Sequence, residues 1–314
     1  MRPLSIAALQ TAPVFGDPEA TLVRFAERLP RLRATFPHVQ LVLLPELHLP
    51  APPAPLDESR GRVAVDVPGE LTGRLGELAR STGLWLVPGT VFERGEGGRV
   101  HNTCLVFSPS GELVARYRKV FPWQPHEGCA RGEEFVVFDM PGMGRLGLSI
   151  CYDGSFPETC RQLAWLGAEV VLQPSLTTTS DRDHELVMAR ANAIFNQLWV
   201  VSLNAAAPAG LGRSAIVDPE GVVRLQAGDA EEVLTYVLDL DAVTLVREYG
   251  TAGVSRMWDQ IEREGPAIHL PMYGGTVAQA RTGTASEAIA SISSEARSNS
   301  SSESTGVPSK GRSR

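Results

Sequence analysis

Four side chains of the kinds used in nucleophilic catalysis stand at or near the ends of apolar runs in this sequence. Glu46, Lys119 and Cys151 each closely follow such a run, and Glu127 lies eight residues after Lys119. A thiol can form a covalent intermediate, while carboxylates and an ammonium group can move protons and hold developing charge. Each residue alone also fits an ordinary role, as a loop charge or a small strand-end residue. Together they indicate one site built from three strand ends and a loop.

The surroundings of Cys151 predict a strand–turn–helix junction. The apolar run 146–150 predicts a buried strand, and the polar residues after Cys151 end it. Ser155, with Glu158 three residues later, predicts a capping box that begins a helix. A thiol near a helix N-terminus can have its pKa lowered from about 8.5. Cys151 is therefore the candidate nucleophile.

Hydrophobic periodicity and turn residues predict alternating strands and helices along most of the chain. Strands are predicted at residues 4–9, 39–44, 84–87, 100–107, 113–117, 135–138, 146–150, 170–173, 198–204, 214–217, 222–225 and 233–238. Helices are predicted from Asp17 to about Leu32, at 71–81 and 156–166, and from Asp181 or Asp183 to about Asn196, and the proline-rich residues 47–67 predict a loop. The alternation predicts a layered α/β domain, and hairpins at 100–117 and 214–225 predict mixed sheets.

Composition and charge argue against several classes of function. The 314-residue chain is 43% hydrophobic with a net charge of −7, which gives no reason to expect a nucleic-acid or membrane partner. Cys104, Cys129, Cys151 and Cys160 are too few and too scattered for a disulfide scaffold, and no spacing suggests a metal site. The apolar run 4–9 is too short for a signal-peptide core or a membrane span, so we expect a cytoplasmic protein.

Three short motifs occur in the order and spacing of a known family. They are Leu44-Pro45-Glu46, Tyr117-Arg118-Lys119 and Ile150-Cys151-Tyr152-Asp153, supported by His101-Asn102-Thr103. Over residues 4–260 the chain resembles the nitrilase superfamily of carbon–nitrogen hydrolases. The segment 117–128, which includes Glu127, looks most like the aliphatic amidase and formamidase branch. The resemblance implies a four-layer α-β-β-α sandwich, and we expect no cofactor and no metal.

The resemblance also implies a role for each residue of the site. Cys151 would attack an amide carbonyl, and Glu46 would take the thiol proton and return it to the departing ammonia. Lys119 would hold the oxyanion with the backbone N–H of Tyr152, and Glu127 would hold Lys119 and help position the substrate. Glu46 would then activate the water that hydrolyses the thioester. Two carboxylates beside one lysine are expected to have pKa values that are pushed apart.

Differences from other branches of the superfamily narrow the expected substrate. Nitrilases typically carry Trp-Glu after the nucleophile, where this chain has Tyr152-Asp153. The carbamoylase and ω-amidase branches carry an arginine shortly after the nucleophile, which can bind a substrate carboxylate. The pair Gly154-Ser155 stands there in this chain, although Arg182 or Arg190 could serve from another loop. A substrate that bears a carboxylate is therefore disfavoured.

The sequence thus predicts an amidase-like enzyme that cleaves a small, uncharged carboxamide to a carboxylic acid and ammonia through a cysteine thioester. Trp123, in the loop that carries Glu127, and Tyr152 are the candidates for contact with the substrate. An N-carbamoyl amide hydrolase or a nitrilase of the same superfamily is the alternative. A non-catalytic scaffold that keeps the fold is the alternative from another class.

The resemblance further implies a homodimer or a larger homo-oligomer. Members of the superfamily usually assemble through the helix after the nucleophile, which corresponds here to the helix predicted at 156–166. That helix carries apolar Leu163, Ala164 and Leu166, which could instead face only the core of their own chain.

The composition changes at Gly274 and predicts a hydrolase domain at residues 1–274 and a tail at 275–314. Residues 282–314 are dominated by Ser, Ala, Gly and Thr and contain no aromatic residue. Such a segment cannot bury enough apolar surface to fold, so the sequence predicts a disordered tail.

Truncation after Thr282 tests the prediction for the tail. We expect the melting temperature and the enzymatic activity to stay nearly unchanged, because a disordered segment contributes no packing. Differential scanning calorimetry and a rate assay of the truncated chain measure this. A fall of several degrees would show that the tail packs on the domain or on another copy of the chain.

Overall fold

The structure is a computed structural model, and it describes residues 1–52, 56–264, 269–270 and 275–276. The chain divides into two units, Met1–Asp259 and Gln260–Arg314. In the second unit, His269–Leu270 pairs with Gly275–Thr276 as two short antiparallel strands. The tail predicted at 282–314 lies outside the described residues, and the domain boundary at 274 stays a prediction.

The first unit contains thirteen strands among the described residues. They are β1 (Pro3–Gln10), β2 (Leu41–Leu43), β3 (Trp85–Val87), β4 (Thr90–Arg94), β5 (Val100–Phe107), β6 (Leu113–Arg118), β7 (Val137–Met140), β8 (Gly144–Leu148), β9 (Val170–Ser175), β10 (Trp199–Asn204), β11 (Ala215–Val217), β12 (Val223–Gln226) and β13 (Glu232–Asp239). The α-helices are α1 (Pro18–Thr35), α2 (Leu56–Val63), α3 (Glu70–Thr82), α4 (Pro157–Trp165), α5 (Arg182–Asn196), α6 (Asp241–Tyr249) and α7 (Met257–Glu264). Within the described part of the chain, no helix has the length and apolar character needed to cross a lipid bilayer.

The strands form two mixed sheets. The first has the order β13-β1-β2-β3-β5-β4, with β6 also paired to β5, and the second has the order β12-β11-β10-β9-β8-β7. Neighbouring strands β1, β2 and β3 are parallel, and so are β8, β9 and β10. The pairs β5–β6 and β11–β12 are antiparallel hairpins, which confirms the prediction of mixed sheets.

Side-chain alternation along the strands builds four layers. Ile6 in β1 and Leu172 in β9 belong to one buried cluster that joins the two sheets face to face. Leu9, on the other face of β1, packs in a second cluster with residues of α1 and α3. Val171, on the other face of β9, packs in a third cluster with residues of α4 and α5. Because successive side chains of a strand point to opposite faces, each sheet lies between a helix layer and the other sheet. The predicted four-layer α-β-β-α sandwich is confirmed.

Most predicted strands and helices occur within a few residues of their predicted bounds. Asp17 caps α1 as predicted, since its carboxylate accepts the backbone N–H of Ala20. The loop prediction for 47–67 is wrong at Leu56–Val63, which form α2. Strand β4 was not recognised because Glu93 interrupts its apolar pattern, and the structure buries this carboxylate by pairing it with a neighbouring arginine.

The capping box predicted from Ser155 and Glu158 is wrong. The polar stretch after the β8 strand forms a 3₁₀ turn at Cys151–Ser155, and α4 begins only at Pro157 with Phe156 as its N-cap. The carboxylate of Asp153 accepts the backbone N–H of Ile150, so a side chain within the turn closes it. The nucleophile candidate therefore lies on a separate turn, before the helix.

Helix α4 packs on the core of its own chain. Leu163 and Ala164 are fully buried in the cluster beneath the second sheet. This is the second of the two readings given above for the apolar residues of the helix. Assembly into a homo-oligomer stays a prediction.

Gly89 joins β3 to β4 at a contact that restricts it to glycine. Its φ is +76°, and a Cβ would lie 1.9 Å from the carbonyl oxygen of Pro45. We expect Gly89→Ala to lower the free energy of unfolding by about 1–3 kcal/mol, because the backbone must move. Gly73→Ala is the control, since its Cβ meets nothing within 4 Å, and a helical alanine stabilises by up to about 1 kcal/mol. Urea unfolding compares the two variants, and equal stabilities would contradict the close contact.

Candidate active site

Glu46 lies on the connection that leaves β2, directly beside the Gly89 turn. The next residue, Leu47, has a φ of +51°, and its backbone N–H donates to Thr90 Oγ1 at 2.9 Å. This turn directs the Glu46 side chain inward, where only 4% of it is exposed. A carboxylate buried to this extent requires partners, because an unpaired buried charge is costly.

Lys119, which follows β6, supplies the main partner of that carboxylate. Its Nζ lies 2.8 Å from Glu46 Oε1 and 2.8 Å from Glu127 Oε2, and its side chain is 1% exposed. Asn102 in β5 donates from Nδ2 to both carboxylates, at 2.8 Å to Glu46 and 2.7 Å to Glu127. The four side chains therefore form one closed network inside the domain.

Backbone N–H groups complete the network around the two carboxylates. Leu176 N donates to Glu46 Oε2 at 2.9 Å, and Trp123 N donates to Glu127 Oε2 at 2.9 Å. Sequence reasoning did not assign a role to Asn102, although His101-Asn102-Thr103 was recognised as a motif. Asparagine is common in loops and turns, so nothing local distinguished an amide that bridges two buried carboxylates.

Cys151 begins the 3₁₀ turn in a conformation that side chains rarely adopt. Its φ is +46°, in the left-handed region that favours glycine. Gln173 Nε2 donates to its carbonyl oxygen at 3.0 Å and holds the turn. The thiol donates to Glu46, and Sγ lies 3.9 Å from Thr177 Oγ1. The structure thus brings Glu46, Lys119, Glu127 and Cys151 together, as the sequence predicted.

Asp153 ties the Cys151 turn to the loop that follows Lys119. One carboxylate oxygen accepts Tyr117 Oη at 2.7 Å and Ile150 N at 2.9 Å, and the other accepts Phe121 N at 2.8 Å. Burial is the largest influence on this carboxyl and raises its pKa to about 6. Since its partners come from both sheets, Asp153 fixes the Cys151 turn relative to the β6 end.

The three charged groups shift one another's pKa values in different directions. Burial raises the pKa of Glu46 more than Lys119 lowers it. Burial also acts to raise the pKa of Glu127, but the Lys119 ammonium and several hydrogen bonds outweigh it and leave that pKa lowered. Burial disfavours charge on Lys119, yet the two carboxylates hold its pKa well above the ordinary value. Lys119 is therefore an ammonium at neutral pH, and Glu46 is the carboxylate more easily protonated.

The expected lowering of the Cys151 pKa is wrong. Burial raises the pKa of the thiol well above its ordinary value, and the negative charge of Glu46 raises it further. The turn, and not a helix, follows this residue, so no long helix dipole offsets the burial. Cys151 is accordingly a neutral thiol at neutral pH and needs a base to become a nucleophile.

A cavity of about 310 Å³ opens onto these groups. It is lined by Pro13, Phe15, Glu46, Leu47, His48, Pro52, Lys119, Trp123, Glu127, Cys151, Leu176, Thr178, Ala205 and Ala209. Trp123 lies at the cavity and is 38% exposed, so its ring can reach a bound molecule. The ring of Tyr152 instead packs edge-on against Phe156, with ring centroids 5.2 Å apart, and the structure does not place it on the cavity wall.

Neither arginine considered for binding a substrate carboxylate lines this cavity. Arg182 is fully buried and bonded to Glu185 and to backbone carbonyls, while Arg190 donates to the Gly221 carbonyl oxygen at 3.0 Å. Burial lowers the pKa of His48 to about 3, which leaves its ring neutral. Within the described ranges, no group of three or more His, Cys, Asp or Glu side chains could hold a metal ion.

Two stacked mixed sheets between helices, with a thiol, a lysine and two glutamates at one cavity, define the class of this protein. The sequence model of the carbon-nitrogen hydrolase family matches residues 5–248. The chain therefore belongs to this family, which is part of the nitrilase superfamily.

Individual relatives refine this membership. The omega-amidase NIT2 of Xenopus tropicalis is 31% identical over 201 residues, which cover 59% of this chain and 72% of the relative, and the human NIT2 is 31% identical over the same coverage. The crystal structure of Saccharomyces cerevisiae Nit3 has a TM-score of 0.72 at 29% identity and covers 79% of this chain and 94% of that one. An amidase from Nesterenkonia sp. AN1, in complex with butyramide, has a TM-score of 0.64 at 26% identity and covers 77% and 93%. The protein is an amidase-like carbon–nitrogen hydrolase, and its assignment to the aliphatic amidase and formamidase branch stays a prediction.

Glu127→Gln separates a site residue from a loop charge. The change keeps the shape of the side chain but removes a charge beside Lys119. We expect kcat/KM to fall by at least about 10²-fold, or about 2.7 kcal/mol of transition-state stabilisation. Glu127 is one cause of the raised pKa of Glu46, so the acidic limb of the pH profile should also move to lower pH.

The measurement is kcat/KM against pH, with circular dichroism to confirm the fold. Glu133→Gln, at an exposed position soon after Glu127, is the matched control and should retain the parent profile. Kinetics of Glu127→Gln within about threefold of the parent would assign this glutamate no part in catalysis.

Proposed function

We propose that this protein hydrolyses small, uncharged carboxamides to carboxylic acid and ammonia through a thioester on Cys151. The observation that carries the proposal is the convergence of a neutral thiol, a base and an ammonium at one cavity. Glu46 accepts a hydrogen bond from the thiol, and Lys119 lies between Glu46 and Glu127 at 2.8 Å from each. These are the groups needed to cleave an amide in two covalent steps.

In the first step, Cys151 Sγ attacks the amide carbon while its proton moves to Glu46. The raised pKa of the thiol means that proton transfer accompanies attack and no free thiolate precedes it. The Lys119 ammonium has three N–H groups, of which two bond the glutamates, so the third can reach the oxyanion. The backbone N–H of Tyr152 is the second proposed donor. Glu46 then gives its proton to the amine as the C–N bond breaks and ammonia leaves.

In the second step, Glu46 removes a proton from water, and the water oxygen attacks the thioester carbon. The same donors hold the second oxyanion, and Cys151 leaves with the proton returned from Glu46. Glu127 stays ionised throughout, because its pKa is lowered, and it keeps Lys119 charged and in place. A raised pKa suits the group that exchanges protons, and a lowered pKa suits the group that holds the cation.

The cavity supports an uncharged substrate. Most of its wall is apolar, and Lys119, its single cation among the described residues, is already paired with two carboxylates. A substrate carboxylate would face Glu46 and Glu127 without a free partner, which costs free energy in a buried site. The Nesterenkonia amidase, which is similar to this chain, is described with butyramide and, in a variant, with the acetamide moiety of fluoroacetamide at the active-site cysteine.

An ω-amidase activity is the second candidate, because the similar NIT2 proteins carry that name. Its substrates would need a cation for their carboxylate, and Arg182 and Arg190 do not lie at the cavity. N-carbamoyl amides and nitriles are the remaining substrates of this superfamily to be compared. We also propose, from the family resemblance alone, a cytoplasmic homo-oligomer that acts on a small molecule without a cofactor.

A panel of substrates tests the proposal, with ammonia release as the readout. We expect acetamide, propionamide and butyramide to be hydrolysed, and amides that carry a second carboxylate, N-carbamoyl amino acids and nitriles to be poor substrates. Preference for the carboxylate-bearing amides would contradict the proposed substrate class. No hydrolysis of any compound would favour a non-catalytic scaffold.

Cys151→Ala tests the nucleophile in the same assay. Hydrolysis should be abolished while the fold remains, since the change removes one sulfur atom from a turn. Intact mass of the wild type, quenched during turnover, should show the added acyl group, and peptide mapping should place it on Cys151. Iodoacetamide should label Cys151 before the three buried cysteines, Cys104, Cys129 and Cys160. A different cysteine labelled first in the native protein would contradict the mechanism.

A further inference from the structure

The sulfur of Cys151 touches a second set of side chains that the proposed steps do not use. Sγ lies 3.9 Å from Thr177 Oγ1, and that hydroxyl lies 2.7 Å and 2.9 Å from the two carboxylate oxygens of Glu185. A carboxylate only accepts hydrogen bonds, so the hydroxyl proton of Thr177 points to Glu185. The lone pairs of the hydroxyl therefore remain for the thiol.

Glu185 is held in place by an arginine from the preceding turn of α5. Arg182 Nη1 lies 2.8 Å from Glu185 Oε2, and the Arg182 side chain is 1% exposed. The remaining guanidinium nitrogens donate to the carbonyl oxygens of Gly212 at 3.2 Å and Arg213 at 3.0 Å. A buried guanidinium with this many fixed acceptors cannot swing away, so the Glu185 carboxylate has a fixed position.

The backbone of Thr177 is fixed as well. Its N–H donates to Asn204 Oδ1 at 2.8 Å, and Asn204 Nδ2 donates to the Thr177 carbonyl oxygen at 3.2 Å. The residue before it, Leu176, donates its N–H to the base Glu46 at 2.9 Å. One short segment after β9 therefore contacts both the proposed base and the proposed nucleophile, and sets the distance between them.

We propose that Thr177, anchored by Glu185 and Arg182, is a positioning residue for the Cys151 sulfur, and that the Glu185 charge keeps this sulfur protonated until it attacks. This inference rests on the proposed role of Cys151 as nucleophile. The Cys151–Thr177–Glu185–Arg182 chain holds Sγ near Glu46 Oε2, which receives the thiol proton. An interaction made only to position the nucleophile should affect turnover more than substrate binding.

Three charged groups act on the sulfur from three different elements. Glu46 after β2 and Glu185 in α5 disfavour a thiolate, and Lys119 after β6 favours it, with Arg182 behind Glu185 and Glu127 behind Lys119. The two carboxylates add to the effect of burial, so the resting thiol stays neutral. Because thiolates and not thiols react readily with alkylating and oxidising agents, the arrangement also protects the nucleophile between turnovers.

Thr177→Val and Thr177→Ser test the positioning role. Valine has nearly the shape of threonine, removes only the hydroxyl and leaves the Glu185–Arg182 pair intact. We expect kcat of Thr177→Val on butyramide to fall by about tenfold or more with KM little changed, and Thr177→Ser to recover most of that loss. Thr179→Val is the matched control, because that exposed threonine bonds Asp181 and not the thiol, and it should keep the parent rate. Equal kcat values for Thr177→Val and Thr177→Ser would overturn the proposal.

Glu185→Gln tests the charge without relying on hydrolysis. Glutamine still offers an oxygen to Thr177 but carries no charge, so alkylation of Cys151 by iodoacetamide should begin at lower pH than in the parent. A folded Glu185→Gln variant with an unchanged alkylation–pH profile would overturn the part of the proposal that concerns charge. If this variant does not fold, because Arg182 loses its partner, the Thr177 variants decide alone. A parent protein that neither hydrolyses amides nor labels at Cys151 would contradict the proposed function, whereas an active parent matched by Thr177→Val would contradict only this inference.

Discussion

The structure depends above all on a buried ammonium that is shared by two buried carboxylates. Moving an ion from water into a protein interior costs several kcal/mol, and only close pairing and further hydrogen bonds offset that cost. Lys119 is paired at 2.8 Å with both Glu46 and Glu127. One positive and two negative charges still leave an excess negative charge, which Asn102 and backbone N–H groups stabilise. Each of these donors must therefore sit within a few tenths of an ångström of its place.

The sandwich architecture supplies that precision. Glu46 follows β2, Asn102 lies in β5 and Lys119 follows β6, so all three belong to the first sheet. Cys151 follows β8 and Thr177 follows β9, so both belong to the second sheet. The site therefore forms only where the two sheets pack face to face, and the cluster between them sets the distance between base and nucleophile. Asp153 adds a polar link across the same junction, with donors from β6 and from both flanking loops.

The electrostatics of the site divide the labour among similar groups. Glu46 and Glu127 both bond Lys119, yet burial dominates for Glu46 and the cation dominates for Glu127, so their pKa values shift in opposite directions. The thiol stays neutral because burial and two carboxylates outweigh one ammonium. Such a site carries no reactive thiolate at rest, and its chemistry begins only when a substrate carbonyl receives the electrons of the sulfur.

The sequence by itself determined the family, the four-layer fold and the four residues Glu46, Lys119, Glu127 and Cys151. These follow from motifs in register and from strand and helix periods, which are local properties of the chain. Tertiary structure alone decided the environment of each group. The thiol pKa moves up and not down, because burial depends on both sheets and on a turn that Asp153 closes in place of the predicted capping box. Asn102, Thr177 and Glu185 carry no local signal, since an amide, a hydroxyl or a surface-like helical carboxylate acquires its role only from partners distant in sequence. A spacing along the chain specifies which residues can meet, but only packing specifies their distances, their burial and therefore their charge.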